Sequence, residues 1–517
     1  MLLYTKELVA PRPRPGHGLL KFKKQKYKNF VRHSLAHSTV HGLQHVFEEE
    51  EERHVWLRYF WLFIVASSSI GCFAIYSLLE HRHDEQQLVS IIETTQLPVY
   101  SIEFPAVAIC PWSHVNWARA KAAAHRFLPA NPNNEILEGF HQLLSLLDKA
   151  NFGNFEKLDR LSTRNLTDLM NLSVTKLSSY LAYRCDELFV PDSCIFDETP
   201  FDCCKLFVQE HTEKGLCLVF NSMISENSRQ KQLTNEFYPY KLSTAGEGTG
   251  LQFTLQLNES FLRPGTIIYE IPFAMNLMIK EPRQWTQQMA NVFHLYAHTE
   301  NFVAVHPTVF ETTPSTNQMK LRQRRCYFDY ERKPYYPETD LAYSRENCIA
   351  VCLHHAVLRV CNCSTPGYYP PIEGTRECSV LDAKCLAQNA DIFSYVKMRD
   401  QDKYINDSRR GQLCHCPENC NSRQYKLTLN VRNINYDANE TRKLIKTQVF
   451  YGQRVMTKIV TKLRYTTLDL LANFGGILGL YMGASALSFI EVGYLLVKLL
   501  WMLLKDGYLK IKTMFVN

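Results

Sequence analysis

The chain of 517 residues carries no Ser/His/Asp constellation, no G-x-x-x-x-G-K-[ST] loop and no H-E-x-x-H helix. Triad hydrolysis, nucleotide phosphoryl chemistry and zinc-dependent hydrolysis therefore lack their residues, and no catalytic group or cofactor is expected. The N-terminus, MLLYTKELVAPRPRP, has no apolar core ahead of a small-residue cleavage site, so no cleaved signal peptide is expected. Internal repeats are absent, and no low-complexity segment follows the N-terminus. A net charge of +7, mostly in the terminal flanks with the rest scattered, gives no sign of a nucleic-acid site. The pairs Cys361-Asn362-Cys363 and Cys414-His415-Cys416 miss the C-x-x-C spacing that zinc prefers, so no metal is expected.

Two long apolar runs are present. Val55–Leu79 holds one charge, Arg58, and exceeds the roughly 20 residues that span a bilayer. Leu468–Leu504 is the second. Lysine and arginine cluster in Lys21–Arg32 before the first run, and Lys505, Lys510 and Lys512 follow the second. Basic flanks prefer the cytoplasm, so both termini are expected inside and Glu80–Tyr465 outside. Two features agree with that orientation. Sequons at Asn165, Asn171, Asn258, Asn362, Asn406 and Asn439 all lie between the runs, and so do 16 of the 17 cysteines. The odd one, Cys72, sits inside the first run. An even set in an oxidising compartment reads as disulfides.

The organisation expected is a cytoplasmic 1–54, a first span 55–79, an extracellular 80–465, a second span 466–504 and a tail 505–517. Residues up to about Ser34 are expected to be mobile, with Lys21–Arg32 able to meet anionic lipid. Glu48–Glu52 reads as a solvated face. Outside, Phe104–Pro111 (FPAVAICP), Leu251–Leu257, Thr266–Met278 and Tyr425–Val431 read as strands, the last leading back to the membrane. Helices are expected from Ala118 to Leu181, where Phe140, Leu143, Leu144 and Leu147 keep helical spacing, and over Leu341–Leu358. Cys185–Cys217 reads as loop. His81, His83, His294, His298, His306, His354 and His355 are candidates for proton or metal sensing, against the plainer reading of exposed or core-satisfied side chains.

The second run carries what is costly in lipid. Ala472, Gly476, Gly479 and Gly483 recur at steps of 4, 3 and 4, which places them along one helix face. Gly483-Ala484-Ser485 puts two tiny side chains and a hydroxyl at mid-membrane. Glu491 then places an ionisable group where such groups are rare and functional. A helix-packing anchor explains the glycines. A pore wall, with several copies around an axis, explains the glycines, the serine and the glutamate together.

FPAVAIC after the first run, GLCLVFN at Gly215–Asn221, CHCPENC at Cys414–Cys420, NFGGILGLYMGAS with Glu491, and His41-Gly42 occur in one order along the chain. They resemble the degenerin/epithelial sodium channel superfamily, and most closely its insect pickpocket branch. The resemblance implies a trimeric membrane protein with two transmembrane helices and a large disulfide-rich α+β ectodomain. That ectodomain would have palm, β-ball, knuckle, finger (roughly 118–250) and thumb (roughly 326–420). It implies the pairs Cys110–Cys217, Cys326–Cys420, Cys348–Cys416, Cys352–Cys414, Cys361–Cys385 and Cys363–Cys378. Cys185, Cys194, Cys203 and Cys204 stay open among three connectivities. It also implies a selectivity filter at Gly483, Ala484 and Ser485, and a degenerin position at Ala472 where a small side chain lets the gate close. Amiloride would be coordinated at Gly479 in an outer pore with Asn473 and Gly476, and Glu491, His41 and Gly42 would line the inner pore. Asn473 departs from the aspartate of many relatives, which removes one ring of charge. The short tail lacks the proline-tyrosine motif of the epithelial channels.

The function expected is that of a subunit in a ligand- or mechanically gated, voltage-independent, amiloride-sensitive sodium channel. It would be a homo- or heterotrimer with related subunits in the plasma membrane, with an unidentified extracellular stimulus read by Lys121–Asp202 and Phe302–Gln323. A pore-less two-span receptor and an ATP-gated trimeric channel share the topology. Neither accounts for the full motif set.

Overall fold

Fourteen residues, Thr299–Thr312, form the strand on which the larger part of the molecule is assembled. In the computed structural model the described residues are 18–47, 55–84, 88–162, 169, 172–264, 274–287, 292–331, 342–365, 367–369, 374–399, 401–434 and 442–514. They form two units. Ser90–Lys462 is one, and both chain ends, Met1–Val89 with Leu463–Asn517, make the other.

Thr299–Thr312 is rich in β-branched and aromatic residues, the chemistry that fits a pleated surface. One edge pairs antiparallel with Ser422–Asn433 over its whole length. The other edge pairs parallel first with Arg442–Tyr451 and then with Val455–Leu463. Leu88–Pro98, Leu251–Asn258, Cys194–Phe196 and Thr199–Phe201 complete an eight-stranded sheet. Leu251, Phe253, Leu255 and Leu257 alternate inward along their strand, as the sequence pattern suggests.

A second sheet of five antiparallel strands holds Phe207–Thr212, Gly215–Phe220, Ala106–Pro111, Ala274–Lys280 and Val292–Tyr296. Ala106–Pro111 is its middle strand and is buried on both faces, which is why it reads as an unbroken apolar run. Phe104, Phe196, Phe207, Phe220 and Tyr451 meet in one core, with Phe104 in edge-to-face contact with Phe196 and Tyr451.

Several expectations need correction. Cys185–Cys217 is not loop. It holds the helical turns Cys185–Leu188 and Cys203–Leu206 and the strands Cys194–Phe196 and Thr199–Phe201, each too short for the sequence to show a period, and the six-residue strand Phe207–Thr212. The strand containing Tyr425 does not lead back to the apolar segment, because Arg442–Tyr451 and Val455–Leu463 intervene. In the latter only Met456 and Val460 are buried, so its alternation is faint. The strand expected at Thr266–Met278 begins, among described residues, at Ala274. Glu48–Glu52, Asn165, Asn171 and Asn439 lie outside the described residues.

The stapled region is built on the helix Arg345–Cys361. Ser344 caps it by accepting from Asn347 N, and Asn362 ends it in the left-handed conformation. Three of its cysteines are tied off, Cys348 to Cys416, Cys352 to Cys414 and Cys361 to Cys385. Cys326–Cys420 closes the base and Cys363–Cys378 the far end. Cys110 is joined to Cys217 across the five-stranded sheet. Of the connectivities left open, the structure has Cys185–Cys204 and Cys194–Cys203. Cys72 is a free, buried thiol.

Two charged groups are held inside the larger unit. Lys280 and Glu210 are fully buried and 2.8 Å apart, and the ammonium also donates to Gln284 O and Ser222 Oγ. All three of its protons are thereby used, which makes burial of the charge tolerable. At the foot of the stapled region Glu103 accepts from Arg283 and Arg423, and those guanidiniums outweigh burial and hold its carboxyl below the usual range. Nearby Glu281 has only the Arg423 backbone amide at 2.6 Å, and burial pushes it up to about 7.

Three of the seven sensing candidates have structural surroundings that account for them. His354 is buried against Tyr369, and burial lowers its pKa to about 4. His294 bonds Asn276 Oδ1 at 2.8 Å, and His306 packs under Gly452. Among the described residues no group of three or more His, Cys, Asp or Glu is placed to hold a metal.

Candidate ion-conduction site

Two helices of the smaller unit are long and apolar enough to cross a membrane, Val55–Asp84 and the stretch Ala486–Asp506. A shorter apolar helix, Thr467–Met482, precedes the second. Thr466 caps it through a reciprocal pair with Asp469.

The second run is therefore not one helix. It breaks at Gly483-Ala484-Ser485, and the local chemistry explains why. Gly483 takes a left-handed conformation, φ 58°, which glycine adopts without a Cβ penalty. Gly483 N donates to Gly479 O at 3.0 Å and Ala484 N to Leu478 O at 3.3 Å, closing the first helix. Ser485 then opens the next, Ala486–Met514. Ser488 N donates to Ser485 Oγ, and Ser485 N donates to Ser488 Oγ at 3.1 Å.

The break is covered from the N-terminal side. His41 N donates to Met482 O at 3.0 Å. A Cβ at Gly483 would overlap the His41 imidazole, and a Cβ at Gly42, φ 85°, would lie 2.8 Å from Val65 Cγ2. Gly483 thus leaves room for His41, and Gly42 lets the same segment lie against Val65 of the first span. Thr39 Oγ1 lies 2.8 Å from Glu491 Oε2 and 2.9 Å from Ser488 Oγ. Thr39 Oγ1 is placed to donate to both acceptors, Glu491 Oε2 and the buried Ser488 Oγ, which share its single proton.

The N-terminal segment also contacts the helix Ala486–Met514. Gly18–Ala36 is helical, an element not expected from the sequence. Tyr27 OH donates to Asp506 Oδ2 and Lys498 Nζ lies 5.5 Å from the Phe30 ring centroid, contacts with a segment far away in sequence that periodicity cannot reveal.

Thr467–Met482 packs one face on the first span, with Phe474 against Tyr76 and Tyr481 against Gly71. The other face carries Ala472, Asn473, Gly476 and Gly479, all exposed in the single chain, and a Cβ at Gly476 or Gly479 would meet nothing within 4 Å. The structure therefore brings His41, Gly42, Gly483, Ala484, Ser485 and Glu491 into one place and sets Ala472, Asn473, Gly476 and Gly479 along one surface leading to it. Sequence reasoning missed Thr39 and Ser488. The S-x-x-S spacing after a glycine, a capping signal, was available for the second. Of the sequons in described residues, Asn258, Asn362 and Asn406 are exposed.

Comparison with known proteins matches residues 34–495 to a family described as the amiloride-sensitive sodium channel. The chain is 58% identical to Pickpocket protein 19 of Drosophila melanogaster over 99% of both sequences. It is 25% identical to Sodium channel protein Nach of Drosophila ananassae over 89% of this chain and 84% of that one. To Epithelial sodium channel subunit beta of Homo sapiens it is 22% identical over 62% of this chain and 49% of the relative.

Proposed function

Because this chain belongs to the amiloride-sensitive sodium channel family, we propose that it is a subunit of a sodium-selective, voltage-independent cation channel, blocked by amiloride and opened by a ligand or by mechanical load. The family is one of ion channels and not of enzymes, and the chain is a two-span protein of the plasma membrane. Both termini are placed in the cytoplasm on the basic flanks. The basic run Lys21–Arg32 is then available to anionic lipid.

The observation that carries the reading is the closure of the helix break at Gly483–Ser485 by His41-Gly42. Interrupting a helix releases carbonyls from its ladder, and at membrane depth such carbonyls persist only where protein or a water-filled path satisfies them. Three copies, identical or related, would set the surface of Ala472, Asn473, Gly476 and Gly479 around an axis. Sodium would shed part of its hydration shell to carbonyls at Gly483 and Ala484. Ser485 Oγ, bonded to Ser488 N, would shape the filter more than it coordinates the ion. Glu491 and Thr39 would form the inner mouth.

The test is Ala472→Phe beside wild type in oocytes, with current recorded in sodium, then potassium, with and without amiloride. A bulky side chain at 472 is expected to hold the gate open and bypass the stimulus, giving a sodium-preferring, amiloride-blocked current in the mutant. No current from surface-expressed trimers, even with related subunits present, would refute the reading.

A further inference from the structure

A cavity of about 130 Å³ lies where three parts of the larger unit meet. These are the helices of 134–181, the sheet end at His114 and Gly215, and the stapled segment 364–386. Leu143, Leu147, Leu158, Leu161, Val380 and Leu386 give it an apolar wall. Leu158 packs against both adjoining hydrophobic clusters, so the space sits on the seam between them.

Polar side chains are interspersed in the lining, and one of them is buried without a partner. Thr365 is 8% exposed, and its Oγ1 has no hydrogen-bond partner. Buried hydroxyls in native proteins are nearly always hydrogen-bonded, so an unpartnered one facing a cavity calls for a partner. The charged groups are already committed. Glu377 accepts from Ser173 Oγ at 2.9 Å and Thr175 N at 2.7 Å. His114 is held neutral by burial, which lowers its pKa to about 4. Lys149 and Lys157 stand exposed at the rim, where water solvates them. The interior offers no free counter-charge to an ionic guest. Its volume resembles that of apolar cavities of about 150 Å³ that take up benzene.

We propose that this cavity binds a small neutral molecule, an apolar body of about benzene size bearing one hydroxyl or carbonyl that bonds Thr365 Oγ1. Occupancy braces the helices of 134–181 against the stapled segment. The proposal concerns binding and does not rest on the channel reading.

The test is hydrogen exchange on the purified full-length protein in detergent, with benzyl alcohol, toluene, benzoate and benzylamine as probes. Benzyl alcohol is expected to slow exchange by roughly threefold or more in 143–161 and 364–386, with the charged analogues inactive. Ser178→Leu, which fills the space, is expected to abolish the effect. Thr365→Val is expected to erase a preference for benzyl alcohol over toluene of roughly fivefold, the weight of one neutral hydrogen bond. Equal protection by benzoate or benzylamine, protection spread over the whole chain, or persistence in Ser178→Leu would overturn the proposal. Should that variant not fold, Thr365→Val decides alone, and an unchanged preference overturns it.

Discussion

The backbone amide of His41 donates to the carbonyl of Met482 at 3.0 Å, joining residues 441 positions apart at the point where the second apolar run breaks. That bond lets the segment before the first span close over the filter candidate. Gly483 and Gly42 each leave space that this arrangement needs, the first for His41 and the second for Val65. Gly483→Ala adds a Cβ where the His41 ring lies and forces a left-handed alanine, a strain of about 1 kcal/mol before any clash. Surface protein is expected at wild-type levels with whole-cell current reduced roughly tenfold or more. Gly42→Ala should behave alike, through Val65.

The Thr39–Glu491 contact predicts coupling between the N-terminal segment and the helix Ala486–Met514, the proposed inner mouth. In the Ala472→Phe background, Thr39→Val and Glu491→Gln should each change the current, and the double variant should fall short of their sum by about 1 kcal/mol. Additive effects in the cycle would show that the hydrogen bond carries no gating energy.

Removing disulfides should cost stability in the order of the loops they close. Cys110–Cys217 spans 107 residues and Cys194–Cys203 only 9. Chain entropy alone then makes loss of the first worse by roughly 2 kcal/mol. Thermal melts of the full-length double-serine variants check this, and equal losses would point to native-state packing as the dominant effect.

Much of this architecture was legible beforehand because it is written in local chemistry. Ala106–Pro111 reads as a strand from its apolar run, Leu251–Asn258 from strict alternation, and Arg345–Cys361 from helical spacing. What escaped depends on distant partners. Val455–Leu463 buries two side chains, and its strand state comes from pairing with Thr299–Thr312. The N-terminal helix meets Asp506 and Lys498, residues far away in sequence. At the site, the glycine steps and Glu491 were visible, but the break was not. A glycine at φ 58° followed by a capping serine looks the same in sequence as a small-residue stripe on an unbroken helix.

The extracellular assignment of 80–465 makes the exposed sequons a topology test. Asn258 and Asn406 are solvent-facing in the larger unit, and Asn362 stands between two bonded cysteines. Each Asn→Gln change is expected to shift the mobility of protein from an insect or vertebrate cell by one glycan, and endoglycosidase should collapse the ladder. Unchanged mobility at all three sites would argue against the orientation.

The buried carboxylate at the foot of the stapled region predicts a pH effect of definite sign. Glu281, faced by Glu103, Glu346 and Arg423, is raised by burial from 4.5 to about 7. The folded protein therefore holds this proton more tightly than the unfolded chain does. That contribution to stability is full below about pH 4.5 and is lost as pH rises through 7. Glu103 and its two arginines act oppositely, losing stability only in acid, because the Glu103 carboxyl is lowered. Glu281→Gln keeps an acceptor for the Arg423 amide and removes the charge. The variant should gain roughly 2 kcal/mol over wild type at pH 8, after allowance for partial exposure, and nothing at pH 4.5. Melting curves of both proteins between those limits check it. A gain that does not change with pH would assign the effect to packing, and no gain at pH 8 would mean that Arg423 already stabilises the ionised carboxylate.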